Sequence, residues 1–185
     1  MKSNYLAVSG IQLNNQVNKQ YTDFLFIRNQ SFALFNRTLK KGQIRRLLCF
    51  FSGKSTELIQ LSKVTQPEQI ESACDHGIQT VSLSMIIGSE NRCRDFDNHF
   101  APLSEHGQQR WIRISSLFLL DETIPPVELI RVGVFYFVRD GHHRISVARA
   151  LGKKFIDAQV TVVHLKSDRL DNLKTKLNQL VENSV

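Results

Sequence analysis

Cysteine is scarce in this chain, and what there is does not pair by spacing. Cys49, Cys74 and Cys93 are odd in number and far apart, with no Cys-x-x-Cys couple. Neither a zinc knuckle nor a disulfide framework is expected, and reduced thiols are. Long apolar runs are missing too. Met1-Lys2-Ser3-Asn4-Tyr5 leads into a mixed polar segment without the apolar core of a signal peptide, and no stretch reaches the ~20 residues that cross a bilayer. The expectation is a soluble, cytoplasmic protein with no membrane span. A glycine is absent where a phosphate loop needs one. Gly53-Lys54-Ser55-Thr56 imitates the end of a P-loop, yet position 48 is leucine and no clear strand precedes it, so no Walker-type site is expected. From Phe24 to Thr56 there is no acidic residue at all.

What is present is enough for one domain core with an appendage: 185 residues, 42% of them hydrophobic. Twenty-four Lys and Arg against seventeen Asp and Glu leave a net charge of +7, with an isoelectric point near 9.5. That balance points to anionic partners such as nucleic acid or nucleotides and says nothing about fold. Arg28, Arg37, Lys40, Lys41, Arg45, Arg46 and Lys54 fall in or beside the acid-free stretch. Within it Ile44, Leu47, Leu48 and Phe51 recur at helical spacing, which predicts a basic amphipathic helix over residues 38–51. One reading makes it a surface that meets a phosphate backbone or anionic lipid, with Lys40, Lys41, Arg45 and Arg46 of the 37–54 segment as candidate nucleic-acid contacts. The other makes it a docking helix with a solvated basic face. Residues 1–36 belong to the same N-terminal extension, taken as residues 1–77. Its bursts Phe24-Leu25-Phe26-Ile27 and Phe32-Ala33-Leu34-Phe35 fit strands or helix faces equally.

Further along, Thr65-Gln66-Pro67-Glu68 predicts a helix start and Gly77 its end. A strand follows from Ile78 to Leu83, then Met85–Gly88, then a polar loop, Ser89–Asp97, dense in both charge signs. A helix is predicted over 104–120, with Trp111, Ile114, Leu117 and Phe118 inward. Pro125-Pro126 opens an extended pair, Val127–Val132 and Val134–Val138, turned at Gly133 into a hairpin. Ile156–Val163 reads as a strand. Ser167 can cap a final helix carrying Leu170, Leu173, Leu177 and Leu180, the C-terminal unit of residues 165–185.

The centre of the chain is Val138-Arg139-Asp140-Gly141-His142-His143-Arg144. An apolar strand runs into it, and good helix formers leave it until Gly152, where a helix-ending glycine belongs. Asp140-Gly141 is then a tight strand-to-helix turn that aims the helix's first free amides at one small volume. His142, His143 and Arg144 add donors, which makes a pocket for an anion, above all phosphate. The purely structural alternative has Asp140 as an N-cap, Gly141 as the turn and Arg144 in solvent. Adjacent histidines at a helix start point about 100° apart, so no metal site is expected from them.

The passage from Pro125-Pro126-Val127-Glu128-Leu129 through Tyr136–Arg144 to Ala148, Leu151-Gly152 and Ile156-Ala158-Val160 resembles the ParB/sulfiredoxin superfamily. An earlier box, Val81-Ser82-Leu83 to Ile86 with Glu90 and Arg92 after it, shares the likeness, which spans roughly residues 78–164. The resemblance implies an α+β fold: a small mixed sheet with flanking helices, here with a basic helical N-terminal extension. It implies phosphate binding by Asp140, Gly141, His142, His143 and Arg144, and a nucleotide ligand (ATP, ADP or CTP) with Mg²⁺. Members of that superfamily hydrolyse CTP as DNA-clamp switches, repair peroxiredoxin with ATP or phosphorylate serine, and nuclease activity has been attributed to some. Sulfiredoxin's catalytic cysteine falls at His142, so its chemistry is not expected. What remains is a phosphotransferase or nucleotide hydrolase, with Glu90, His143 and Arg144 as catalytic candidates and Glu90 as base. The alternatives are a non-catalytic nucleic-acid-binding or regulatory module and a DNA nuclease.

Overall fold

The computed structural model describes residues 4–166, with side chains from Tyr21 onward except Pro67. The final helix expected after Ser167 lies outside the described residues. The fold is α+β: a six-stranded mixed sheet with helices stacked on it. In chain order the elements are α1 (Asn4–Ser52), β1 (Ile59–Gln60), α2 (Leu61–Val64), β2 (Ile70–Ser82), β3 (Ile86–Ser89), α3 (Gln108–Leu119), β4 (Val127–Val132), β5 (Phe135–Asp140), α4 (His142–Ala150) and β6 (Phe155–Leu165). Across the sheet the order is β1-β3-β5-β4-β6-β2. β4 and β5 are the antiparallel hairpin expected at Gly133, whose φ of 61° suits glycine. β3 pairs parallel to β5, and β4 parallel to β6.

Alternation along the central strands sorts the core. Val127 and Leu129 of β4, Val138 of β5 and Ala158 and Val160 of β6 join Ile145 and Ala148 of α4 on one face. Ile130, Val132 and Phe137 go to a smaller cluster on the other face with Val64 and Leu165. A third cluster stacks the helices: Trp111 of α3 meets Val147 of α4 and Phe35 and Leu39 of α1, with the Phe35 and Trp111 rings edge to face at 5.4 Å. Inside it the Trp111 indole N–H donates to Ser146 Oγ at 2.8 Å, so no polar atom of that ring is stranded.

One expectation is corrected, and one open alternative is resolved. The helix predicted from Thr65 to Gly77 is a 3₁₀ turn, Pro67–Gln69, followed by β2. Antiparallel pairing with β6 along nearly the whole strand overrides the local capping signal, and Gly77 sits in a bulge, where the register shifts between Asp75 and Ile78. The division after residue 77 therefore runs through the middle of a strand. Of the two readings of the bursts Phe24–Ile27 and Phe32–Phe35, the helical one holds and the strand one does not. Both bursts belong to one helix that continues to Ser52. Among its described side chains the buried positions are Ser31, Phe35, Leu39 and Gly42, whereas the Ile44–Leu47–Leu48–Phe51 stripe faces away from the body and is exposed. Gly42 allows the close approach: a Cβ there would stand 2.9 Å from the Pro102 carbonyl oxygen and 3.1 Å from the Ala101 Cβ.

Candidate phosphate-binding site

β5 ends at Asp140, Gly141 turns the chain at φ 101°, and α4 begins at His142. The turn is as the sequence predicts, but Asp140 makes no side-chain cap: the N-cap is Gly141, without a side-chain hydrogen bond. A Cβ at Gly141 would collide with Val127, 2.8 Å from its Cβ, so only glycine lets α4 sit this close to β4.

His142 is buried. Its Nε2 lies 2.7 Å from Ser89 Oγ at the end of β3. That hydroxyl also accepts the amides of Asn91 and Arg92 at 3.2 and 3.1 Å and lies 3.3 Å from the Val138 carbonyl oxygen, so its one proton has two acceptors, that carbonyl and Nε2. Phe96 lies under both histidines, stacked on His142 at 6.0 Å between centroids and edge to face with His143 at 5.3 Å. The His143 ring also packs on Gly107, the left-handed residue before α3. A Cβ there would stand 2.8 Å from its Cε1. The N-terminal ends of α3 and α4 thus meet at one imidazole, and both helix dipoles are positive there.

The electrostatics agree. The pKa of His142 is lowered to about 4, first by burial and then by Arg92, against a smaller opposing pull from Asp140. That of His143 is lowered to about 4 by burial, then by Arg110 and Arg92. Both rings are neutral at physiological pH. The Nδ1 of His143 is buried with no hydrogen-bond partner among the described residues. This is a cation-rich corner with an unanswered polar atom.

Arg144 does not join it. One guanidinium nitrogen donates to the carbonyls of Pro125 and Pro126 at 2.8 and 2.6 Å, and the other to Asp140 Oδ2 at 2.6 Å. It clamps the Pro125-Pro126 approach to β4 onto the first turn of α4. Glu90 stands at the same end of the sheet, its amide on the Val138 carbonyl, and its carboxylate is 3.5 Å from Arg139. Arg45, expected to meet nucleic acid, donates its Nε to buried Asp97 at 2.8 Å, while the other Asp97 oxygen takes the amides of His99 and Ala101 at 3.0 and 2.8 Å. Arg45 ties α1 to the loop after β3. Lys40, Lys41 and Arg46 remain exposed on α1.

Sequence reasoning missed Ser89, Phe96, Gly107 and Arg110. The Ser89–Asp97 loop reads only as a polar stretch dense in both charge signs, and nothing local marks a serine as the partner of a histidine 53 positions away. Arg110 is one more polar residue in an amphipathic helix. Arg149 was also missed: it sits over the Phe100 ring at 4.8 Å and donates to the Leu83 and Ile86 carbonyls at 2.6 and 2.8 Å. Burial lowers its pKa to about 10, and its contacts pin the turn between β2 and β3.

No protein-family model matches the sequence, and no curated protein does. Among solved structures the chain is similar to sulfiredoxin from Arabidopsis thaliana, with a TM-score of 0.35 and 18% identity over 56% of this chain and 96% of that one. The comparison assigns no activity to this chain.

Proposed function

We propose that the protein binds the phosphoryl group of a nucleotide where the N-terminal ends of α3 and α4 meet. One observation carries the reading: His143, held neutral first by burial and then by the fields of Arg110 and Arg92, leaves Nδ1 buried and unpartnered among the described residues at a helix start. A phosphate there would face the free amides of the first turn of α4 and two guanidinium groups, a donor set suited to an anion. Arg144 then acts as a positioning residue: it fixes the Asp140–Gly141 turn rather than touching the ligand.

Group transfer or hydrolysis is the further step that the superfamily resemblance implies. In that reading Glu90 orients or deprotonates the acceptor, Arg92 offsets charge on the phosphoryl oxygens, and the neutral His143 ring donates a hydrogen bond to one of them. Mg²⁺, held by the nucleotide and the Asp140 carboxylate, would supply charge neutralisation.

The test is a thermal-shift screen of the full chain with ATP, ADP, CTP and inorganic phosphate, with and without Mg²⁺. Binding at a hundredfold excess over Kd stabilises by about 2.7 kcal/mol, a readily measured rise in Tm. Arg92→Ala and Arg110→Ala should each abolish that rise, and the His143 pKa followed by NMR should climb on saturation because a bound anion reverses the local field. Absence of a shift with every nucleotide and with phosphate ends the proposal. A response to nucleotides without turnover leaves a binding module rather than an enzyme.

A further inference from the structure

The second feature that stands out is the outer face of α1. At about 100° per residue, Lys40, Ile44, Leu47, Leu48 and Phe51 share an arc opposite the one that Phe35, Leu39 and Gly42 bury against the body. Their exposure is high for apolar residues: Ile44 57%, Leu47 58%, Leu48 62% and Phe51 77%, with Phe50 beside them at 79%. A contiguous exposed apolar stripe on a folded domain marks an interaction surface. Arg37 and Lys41 border it, and no acidic residue occurs between Phe24 and Thr56 to offset them.

Charge and chemistry choose the occupant. A second copy docking through this face would bury Arg37, Lys40 and Lys41 of each chain with no carboxylate of residues 24–56 on either copy to answer them. Double-stranded nucleic acid would use the cations and leave Ile44, Leu47 and Leu48 facing water. An anionic lipid surface takes both, the cations at the phosphate level and the aliphatic and aromatic side chains a few ångströms deeper. Among the described residues no helix is long and apolar enough to cross a membrane, so the contact is peripheral. We infer that residues 37–51 of α1 lie flat on an anionic lipid bilayer and hold the domain at its surface.

Co-sedimentation of the full chain with two kinds of vesicle tests this: phosphatidylcholine alone, and phosphatidylcholine mixed with phosphatidylserine. Binding is expected only to the second and should weaken as salt rises. Lys40→Gln/Lys41→Gln should reduce partitioning roughly 25-fold, at roughly fivefold per lost charge near the surface. Leu47→Gln/Leu48→Gln should also release the protein, at low as well as high salt, and should leave Tm unchanged because both side chains are exposed in the folded chain. No sedimentation with the anionic vesicles overturns the inference. So does full binding by the Leu47/Leu48 variant, which would make the contact one of charge alone. A DNA duplex bound in place of vesicles, or a concentration-dependent dimer dispersed by Leu47→Gln/Leu48→Gln, also overturns it and names the actual partner. Nucleotide binding at α4 is read separately, so failure here leaves that proposal standing.

Discussion

The imidazole of His142 and the hydroxyl of Ser89 are 2.7 Å apart in a volume closed to solvent, and through that contact the last residue of β3 holds the first residue of α4. Because Ser89 Oγ also gathers the Asn91 and Arg92 amides, one hydroxyl fixes both the helix start and the departure of the loop that carries Arg92.

Ser89→Ala leaves those two amides and Nε2 without their partner in a buried place. A loss of about 1–3 kcal/mol is expected in urea unfolding, with an unchanged m-value. A variant as stable as the parent would show that the bond contributes nothing.

Acid should unfold the protein through its histidines. The unfolded chain takes up protons at His142 and His143 from about pH 6.5 downward, while the folded chain holds both rings neutral until about pH 4. The folded-state pKa values are the lower ones, so protonation favours the unfolded state. The contribution is therefore complete above pH 6.5 and is lost progressively between pH 6.5 and 4, by up to roughly 3 kcal/mol for the buried His142 and by less for the more open His143, where solvent screens the field. His142→Asn should reduce the slope of the stability–pH profile over that window, and the part that remains belongs to His143. A parent profile already flat there contradicts the burial of the two rings.

Arg144→Lys keeps a charge but not the fork. A lysine cannot reach the Pro125 and Pro126 carbonyls and the Asp140 carboxylate together. Both Arg144→Lys and Arg144→Ala should cost about 2 kcal/mol, and nucleotide affinity should fall only as far as the turn loosens. Loss of nucleotide binding at unchanged stability would move Arg144 from clamp to ligand contact.

Arg45→Ala removes the charge that answers buried Asp97. Its cost should be about 3 kcal/mol, against changes within about 0.5 kcal/mol for Lys40→Ala or Lys41→Ala on the exposed face. Chemical denaturation of the three variants side by side decides it. Equal effects would place Arg45 with the surface cations.

Gly88→Ala would push a Cβ into the Ile59 carbonyl oxygen and to 2.6 Å from the Phe137 ring, both backed by the sheet. Destabilisation of about 3 kcal/mol or more is expected, or failure to fold. Gly133→Ala, whose Cβ would meet open space, should cost only the positive-φ strain of about 1–2 kcal/mol.

The sequence determined what periodicity and punctuation can carry. Alternation and the Gly133 turn gave the β4–β5 hairpin, the Asp140-Gly141 break gave the join to α4, and Gly152 gave that helix its end. It also placed His142 and His143 in the first turn of α4, since a strand-to-helix turn at Asp140-Gly141 needs no distant partner to be read. Tertiary structure decided everything that depends on who faces whom. Pairing with β6 made residues 70–82 a strand despite a helix-start signal at Pro67. Close packing at Gly42 chose Phe35 and Leu39 as the buried face of α1 and turned Ile44 and Leu47 outward. The proline carbonyls and Asp140 claimed the guanidinium of Arg144, and Asp97 claimed that of Arg45. A local pattern specifies which residues share a side of a helix or strand. Whether that side meets protein, water or a ligand is settled by elements far away in the chain, because burial and ion pairing are properties of the packed whole.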